Sequence, residues 1–142
     1  MPTKRSSATW KSGLRTGTGT YVLGPSGAPV SYGFATRFET DSGTSPEELL
    51  AAAHAACYSM ALAAGLERGG TPATEVRTTA ACTIEKVGDG FRVSRMLLAT
   101  RAKVPGIAKE QFAQAAEAAK NGCPISGALK GNVAIELDAT LE

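Results

Sequence analysis

Between Ser45 and Gly65 the chain reads SPEELLAAAHAACYSMALAAG, and this stretch restricts the fold more than any other. Ser45 is a good N-cap, Pro46 suits the first helical position, and Glu48, three residues after the cap, completes a capping-box pattern. From Leu49 to Ala64 no charged residue occurs. Such a run is long enough for a helix but shorter than the roughly 20 apolar residues needed to span a bilayer. The expectation is a buried helix. Its alanines allow close approach by neighbouring elements, and Leu50, Ala53, Cys57, Met60 and Ala64 lie along one helical stripe.

A chain of 142 residues is read as one domain, 1–142, with room for a real hydrophobic core. It is too small for a nucleotide-binding fold joined to a substrate domain. The formal charge of +2 is weak and the basic residues are scattered, so no nucleic-acid partner is suggested. The first residues, MPTKR, lead into no apolar signal core, and the expectation is a soluble cytoplasmic protein with no membrane partner. Three cysteines, Cys57, Cys82 and Cys123, are widely spaced without a C-x-x-C pair, which is not a secreted disulfide framework.

Taken in order, Ser7 to Ser12 and Gly17 to Leu23 form an expected hairpin. Gly17-Thr18-Gly19 resembles the start of a phosphate-binding loop, but Val22 stands where a third glycine belongs and no helix pattern follows. Val30 to Glu39 reads as a strand with Tyr32, Phe34 and Phe38 on one face and Arg37 on the other, and Thr40 to Thr44 as a short loop. Thr74 to Lys86 alternates as a strand, with Cys82 on its apolar face as a small buried hydrophobe. Gly88-Asp89-Gly90 turns the chain into a strand from Phe91 to Val104, whose apolar phase shifts between Val93 and Met96 and predicts a bulge. Ala108 to Asn121 has helical spacing, Cys123-Pro124 opens a short helix through ISGALK, and Val133 to Leu141 alternates as a half-buried terminal strand.

The residues alone leave the chemistry open. Cys57 lies mid-helix, where apolar surroundings raise a thiol pKa, so a packed and inert cysteine is the better reading unless a cation is supplied. Cys123 precedes Pro124 at a helix start, where backbone N–H groups favour thiolate; the alternative is a loop cysteine packed under the last strand. A two-cysteine peroxide reductase needs an attacking thiolate, a second thiol to trap the sulfenic acid, and a positive group; Cys57, Cys123 and an arginine would satisfy that demand. Glu48 is used by the capping box, which leaves Glu47 either to orient an arginine or simply to sit well at a helix N-terminus. His54, three residues before Cys57, fits a polar residue lining the thiol pocket better than a zinc ligand.

The strings YGFATRFE, GTSPEELLAAAHAACYSMAL, VPGI and AKNGCPIS, in this order over most of the chain, resemble the family of osmotically inducible protein C (OsmC) and organic hydroperoxide resistance (Ohr) proteins, the OsmC branch above all. The resemblance implies a thiol-dependent hydroperoxide reductase acting as an intertwined homodimer. It implies Cys57 as the peroxidatic cysteine, Cys123 as the resolving cysteine, Arg37 in ATRFE as the catalytic arginine and Glu47 in SPEEL as its orienting carboxylate. Ohr proteins take their arginine from nearer the N-terminus, where this chain has Arg15. Cys82 matches no catalytic position.

The resulting expectation is an α+β fold, a twisted antiparallel sheet on a long central buried helix, whose dimer completes each site. Organic hydroperoxides would be reduced to alcohols, hydrogen peroxide more weakly, in oxidative or osmotic stress defence. An external dithiol, of which lipoyl types are one kind, would restore the thiols, with no metal or bound cofactor required. The alternative from another class is a non-enzymatic module that binds a small molecule or partner beside the helix, with packed or metal-binding cysteines. Glu47 and Cys57, ten residues apart, would be separated by about 15 Å along one continuous helix, so Glu47 is expected to serve the other subunit's site.

Overall fold

The N-terminal hairpin forms where the alternation predicts it. Strand β1 (Ser6–Lys11) pairs antiparallel with β2 (Thr18–Leu23), and β2 pairs with the short β3 (Val30–Tyr32). Gly19 sits opposite both Trp10 and Tyr32, and a Cβ there would lie 2.6 Å from the Trp10 ring and 2.7 Å from the Tyr32 ring. This glycine therefore answers to ring packing, not to phosphate. The computed structural model describes residues 1–40 and 43–142, and the chain divides into two units, Met1–Leu49 and Leu50–Glu142. The expected loop of 40–44 falls partly outside the described residues.

After β3 the structure departs from the expected strand. Residues Phe34–Phe38 form a helix, α1, started by Gly33. Thr36 Oγ1 accepts from the Gly33 N–H at 2.9 Å and donates to the Gly33 carbonyl at 3.1 Å, which closes the first turn locally. Phe34 and Phe38 share a face in a strand and in a helix alike, so their spacing did not discriminate; as helix neighbours four apart their rings meet at a tilt of 51°, with centroids 5.0 Å apart.

Helix α2 (Pro46–Arg68) is unbroken over 23 residues. The Ser45 hydroxyl accepts from the Glu48 N–H at 3.2 Å, as its capping position requires. With mean hydropathy 1.6 the full 23-residue helix is, by length and composition only, long and apolar enough to cross a membrane, a test that the core helix of a soluble protein passes as well. The stripe along Leu50, Ala53, Cys57, Met60 and Ala64 is not the buried one: Met60 is 75% exposed. The core face instead runs through His54, Tyr58, Leu62 and Leu66 in steps of four. Two of these carry polar atoms, and burial suits them because each finds a partner; the Tyr58 hydroxyl donates to the Ala116 carbonyl at 3.1 Å.

In the second unit β4 (Glu75–Val87) and β5 (Gly90–Lys103) form the predicted antiparallel pair. Thr83 pairs with Arg95 and Ile84 with Val93, so Ser94 is the extra residue of the expected bulge. Helices α3 (Lys109–Gly122) and α4 (Pro124–Leu129) follow, then β6 (Ala134–Leu141). β6 lies parallel to β5, not antiparallel. Two intervening helices give the chain the length that a parallel crossover needs. Tyr58, Leu62 and Leu66 pack with Leu98, Ala102 and Val104 and with Phe112, Ala116 and Ala119 into one core. Ser59 also donates to Thr78 at 2.8 Å, and Thr78 to the buried Thr100 at 3.0 Å.

Candidate active site

Two clusters of reactive side chains form, one in each unit. In Met1–Leu49, α1 presents Arg37 to Glu47 in the first turn of α2. Arg37 Nη2 donates to Glu47 Oε1 at 2.9 Å, and Nε donates to Oε1 at 3.1 Å and Oε2 at 3.3 Å. Both carboxylate oxygens are engaged, with the Glu47 side chain only 9% exposed. Such a paired geometry fixes the plane of the guanidinium as well as its position. The Arg37 guanidinium also lies over the Phe38 ring, 5.0 Å from its centroid. Arg15 stacks on the Phe34 ring at 4.5 Å. Arg37, Trp10, Leu14, Tyr32, Phe34 and Phe38 border a cavity of about 200 Å³, largely apolar apart from the one guanidinium.

In Leu50–Glu142, the Cys57 and Cys123 sulfurs are 2.9 Å apart, in hydrogen-bonding contact. Cys57 is partly exposed on α2, whereas Cys123, which caps α4, is 1% exposed. Burial pushes the Cys57 pKa up, and the hydrogen bond to Cys123 adds to it. Burial acts upward on Cys123 too, but the hydrogen bonds from Cys57, from the Ser126 and Ile125 amides and from the Ser126 hydroxyl outweigh it and bring that pKa down. By these surroundings alone, Cys57 is the harder of the two thiols to ionise.

The described residues hold no cluster of three or more His, Cys, Asp or Glu able to bind a metal. His54 turns instead to Ser126, with Nε2 2.8 Å from Oγ. Cys82 lies partly buried on β4, on the face the alternation predicts.

Residues 39–138 match the family model described as OsmC-like protein. The chain belongs to the OsmC-like family. It is 42% identical over 135 residues to peroxiredoxin OsmC of Escherichia coli strain K12, covering 94% of each chain. It is 32% identical over 97 residues to an organic hydroperoxide resistance protein of Xanthomonas axonopodis pv. citri, covering 67% of this chain and 66% of that one. Among solved structures, an organic hydroperoxide resistance protein from Elizabethkingia anophelis with thiocyanate bound superposes with a TM-score of 0.73 at 26% identity, over 100% of this chain and 98% of that chain.

In this OsmC-like chain the structure brings together the sequence-predicted Arg37 with Glu47 and, separately, Cys57 with Cys123. Ser126 is the participant that sequence reasoning missed. It is 3% exposed, lies 2.8 Å from His54 Nε2 through its hydroxyl, and helps bring the Cys123 pKa down. The available signal was its spacing, three residues after a cysteine that caps a helix, where an N3 side chain can reach back to the cap.

Proposed function

We propose that this chain is a thiol-dependent peroxidase that reduces organic hydroperoxides to alcohols, and hydrogen peroxide more weakly, in stress defence. The observation that carries this reading is the 2.9 Å approach of Cys57 to Cys123. Exposure divides their roles. The attacking sulfur must meet a peroxide, and Cys57 is partly exposed; the resolving sulfur need only meet Cys57, and Cys123 is buried. The Cys57 thiolate attacks the distal peroxide oxygen, the O–O bond breaks, and the alkoxide leaves with a proton as ROH. Cys123 then attacks the resulting Cys57 sulfenic acid; the S–O bond breaks, the S–S bond forms and water leaves. An external dithiol, for which a lipoyl type is suitable, reduces the disulfide and is itself oxidised.

Cys57 needs a cation, because its own surroundings in Leu50–Glu142 hold its pKa up. Arg37, held by Glu47, supplies it in this reading. The aromatic cavity beside the guanidinium favours an organic substituent over hydrogen peroxide. The reading includes a cytoplasmic homodimer, in which residues 1–142 act as one domain and the Arg37–Glu47 pair of one subunit serves the thiols of the other. Two observations support it: α2 is continuous between Glu47 and Cys57, and its outer face, with Met60 and several alanines, is apolar and uncovered in the single chain.

Thiol counting tests the whole reading. One equivalent of an organic hydroperoxide should remove two thiols per chain, and no loss would leave the chain a binding module. For the arginine, Arg37→Ala is expected to raise the Cys57 pKa, so that less thiolate exists at neutral pH and peroxide consumption slows by about 10- to 100-fold. The rate of alkylation against pH should show its inflection moved upward. An inflection that stays in Arg37→Ala and moves in Arg15→Ala would transfer the role to Arg15.

A further inference from the structure

His54 and Ser126 have no part in the scheme above, yet they form a buried polar pair next to the resolving sulfur. His54 is 0% exposed and is the only histidine in the chain. Its Nε2 is 2.8 Å from Ser126 Oγ, while its Nδ1 has no hydrogen-bond partner among the described residues. An orphaned buried N–H is rarer and more costly than an orphaned acceptor, so the ring hydrogen belongs on Nε2 and Nδ1 is left as a bare lone pair. Burial also lowers the His54 pKa, which keeps the imidazole neutral. With Nε2–H donating to Ser126 Oγ, the hydroxyl's own hydrogen must be given elsewhere. Ser126 stands three residues after Cys123, at the third position of the helix that Cys123 caps, from which a side chain reaches back toward the cap residue.

We propose that His54 and Ser126 are positioning residues for disulfide formation: His54 Nε2–H fixes the Ser126 hydroxyl so that it donates to Cys123 Sγ. The inference rests on the two-cysteine reading and assigns it a further part. The donated hydrogen bond steadies negative charge on Cys123 as it attacks the sulfenic sulfur of Cys57. The Cys57 S–O bond breaks, the S–S bond forms, and the Cys123 thiol proton departs with the hydroxide as water. Ser126 and His54 keep their own hydrogens throughout. Because the pair acts on Cys123, it governs chiefly how long the sulfenic acid survives, and reaches the speed of its formation only through the Cys57–Cys123 contact.

The test separates these two steps by rapid mixing of the reduced full-length protein with one equivalent of an organic hydroperoxide, following sulfenic acid formation and then its loss to disulfide. Ser126→Ala should slow the second step about tenfold or more, the scale of a lost hydrogen bond to a charged group. The first step should change little by comparison. Ser126→Thr, which keeps the hydroxyl, should restore the second step. His54→Gln, whose amide can donate from the Nε2 position, should outperform His54→Leu. If the wild type forms its disulfide and Ser126→Ala does so equally fast, the inference is wrong while the two-cysteine reading stands. If the wild type stops at the sulfenic acid, both fall together. Should the variants fail to fold, nitrogen NMR of the single histidine in the wild type still decides: hydrogen on Nε2 supports the arrangement, and hydrogen on Nδ1 overturns it.

Discussion

Cys57→Ser is expected to consume hydroperoxide no faster than buffer, a loss of about 10⁴-fold or more, because a hydroxyl stays protonated where a thiol can ionise. Cys123→Ser should behave differently. It keeps the attacking sulfur, so one equivalent of peroxide is reduced per chain, and the reaction then halts at a sulfenic acid that a dione reagent can trap. Peroxide assays with a dithiol present, together with mass spectrometry of the trapped adduct, distinguish the two. Normal turnover by both variants would sink the two-cysteine mechanism. Normal turnover by Cys123→Ser alone would mean that the external dithiol reduces the sulfenic acid directly.

Mixing two impaired chains should raise activity above that of either. Glu47→Ala chains keep both thiols but leave Arg37 without the carboxylate that engages it at 2.9 Å, and Cys57→Ser chains keep the ion pair but lack the nucleophile. If pair and thiols work across a two-fold axis, each heterodimer has one complete site. Random association makes half the dimers mixed, so the specific activity should reach roughly a quarter of wild type. Arg37→Ala should complement Cys57→Ser in the same way, since Arg37 and Glu47 belong to one cluster. Heterodimers that demonstrably form and remain inactive would place the pair and the thiols in the same subunit.

Much of this fold could be read from the sequence because its signals are local. The cap of α2, the β4–β5 hairpin with its phase slip, and the Cys-Pro start of α4 each depend on a few adjacent residues. What could not be read depends on partners distant in sequence. His54 counts as polar and Tyr58 carries a hydroxyl, yet Ser126 and the Ala116 carbonyl make them fit for the core, and the buried stripe turns with them. Alternation in β6 gives its faces but not its direction. Arg37 and Glu47 were identifiable as candidates through the family's motifs, but the double contact between them required α1, whose two phenylalanines fit a strand equally well.

The parallel pairing of β6 with β5 has a kinetic consequence. The β4–β5 hairpin can close as soon as its turn is made, whereas β6 must wait for α3 and α4 to be laid down before it can dock. Cys123 rides on that crossover, so the sulfur proposed to resolve the sulfenic acid gains its place after Cys57 has been synthesised. The same order runs in reverse when the sheet frays, since β6 is an edge strand and edges open first. A chain with β6 undocked would carry an oxidisable Cys57 whose partner is adrift, and its sulfenic acid would be free to proceed to the irreversible sulfinic form. Survival under peroxide would then depend on how firmly the last eight-residue strand is held, although that strand carries none of the proposed site residues.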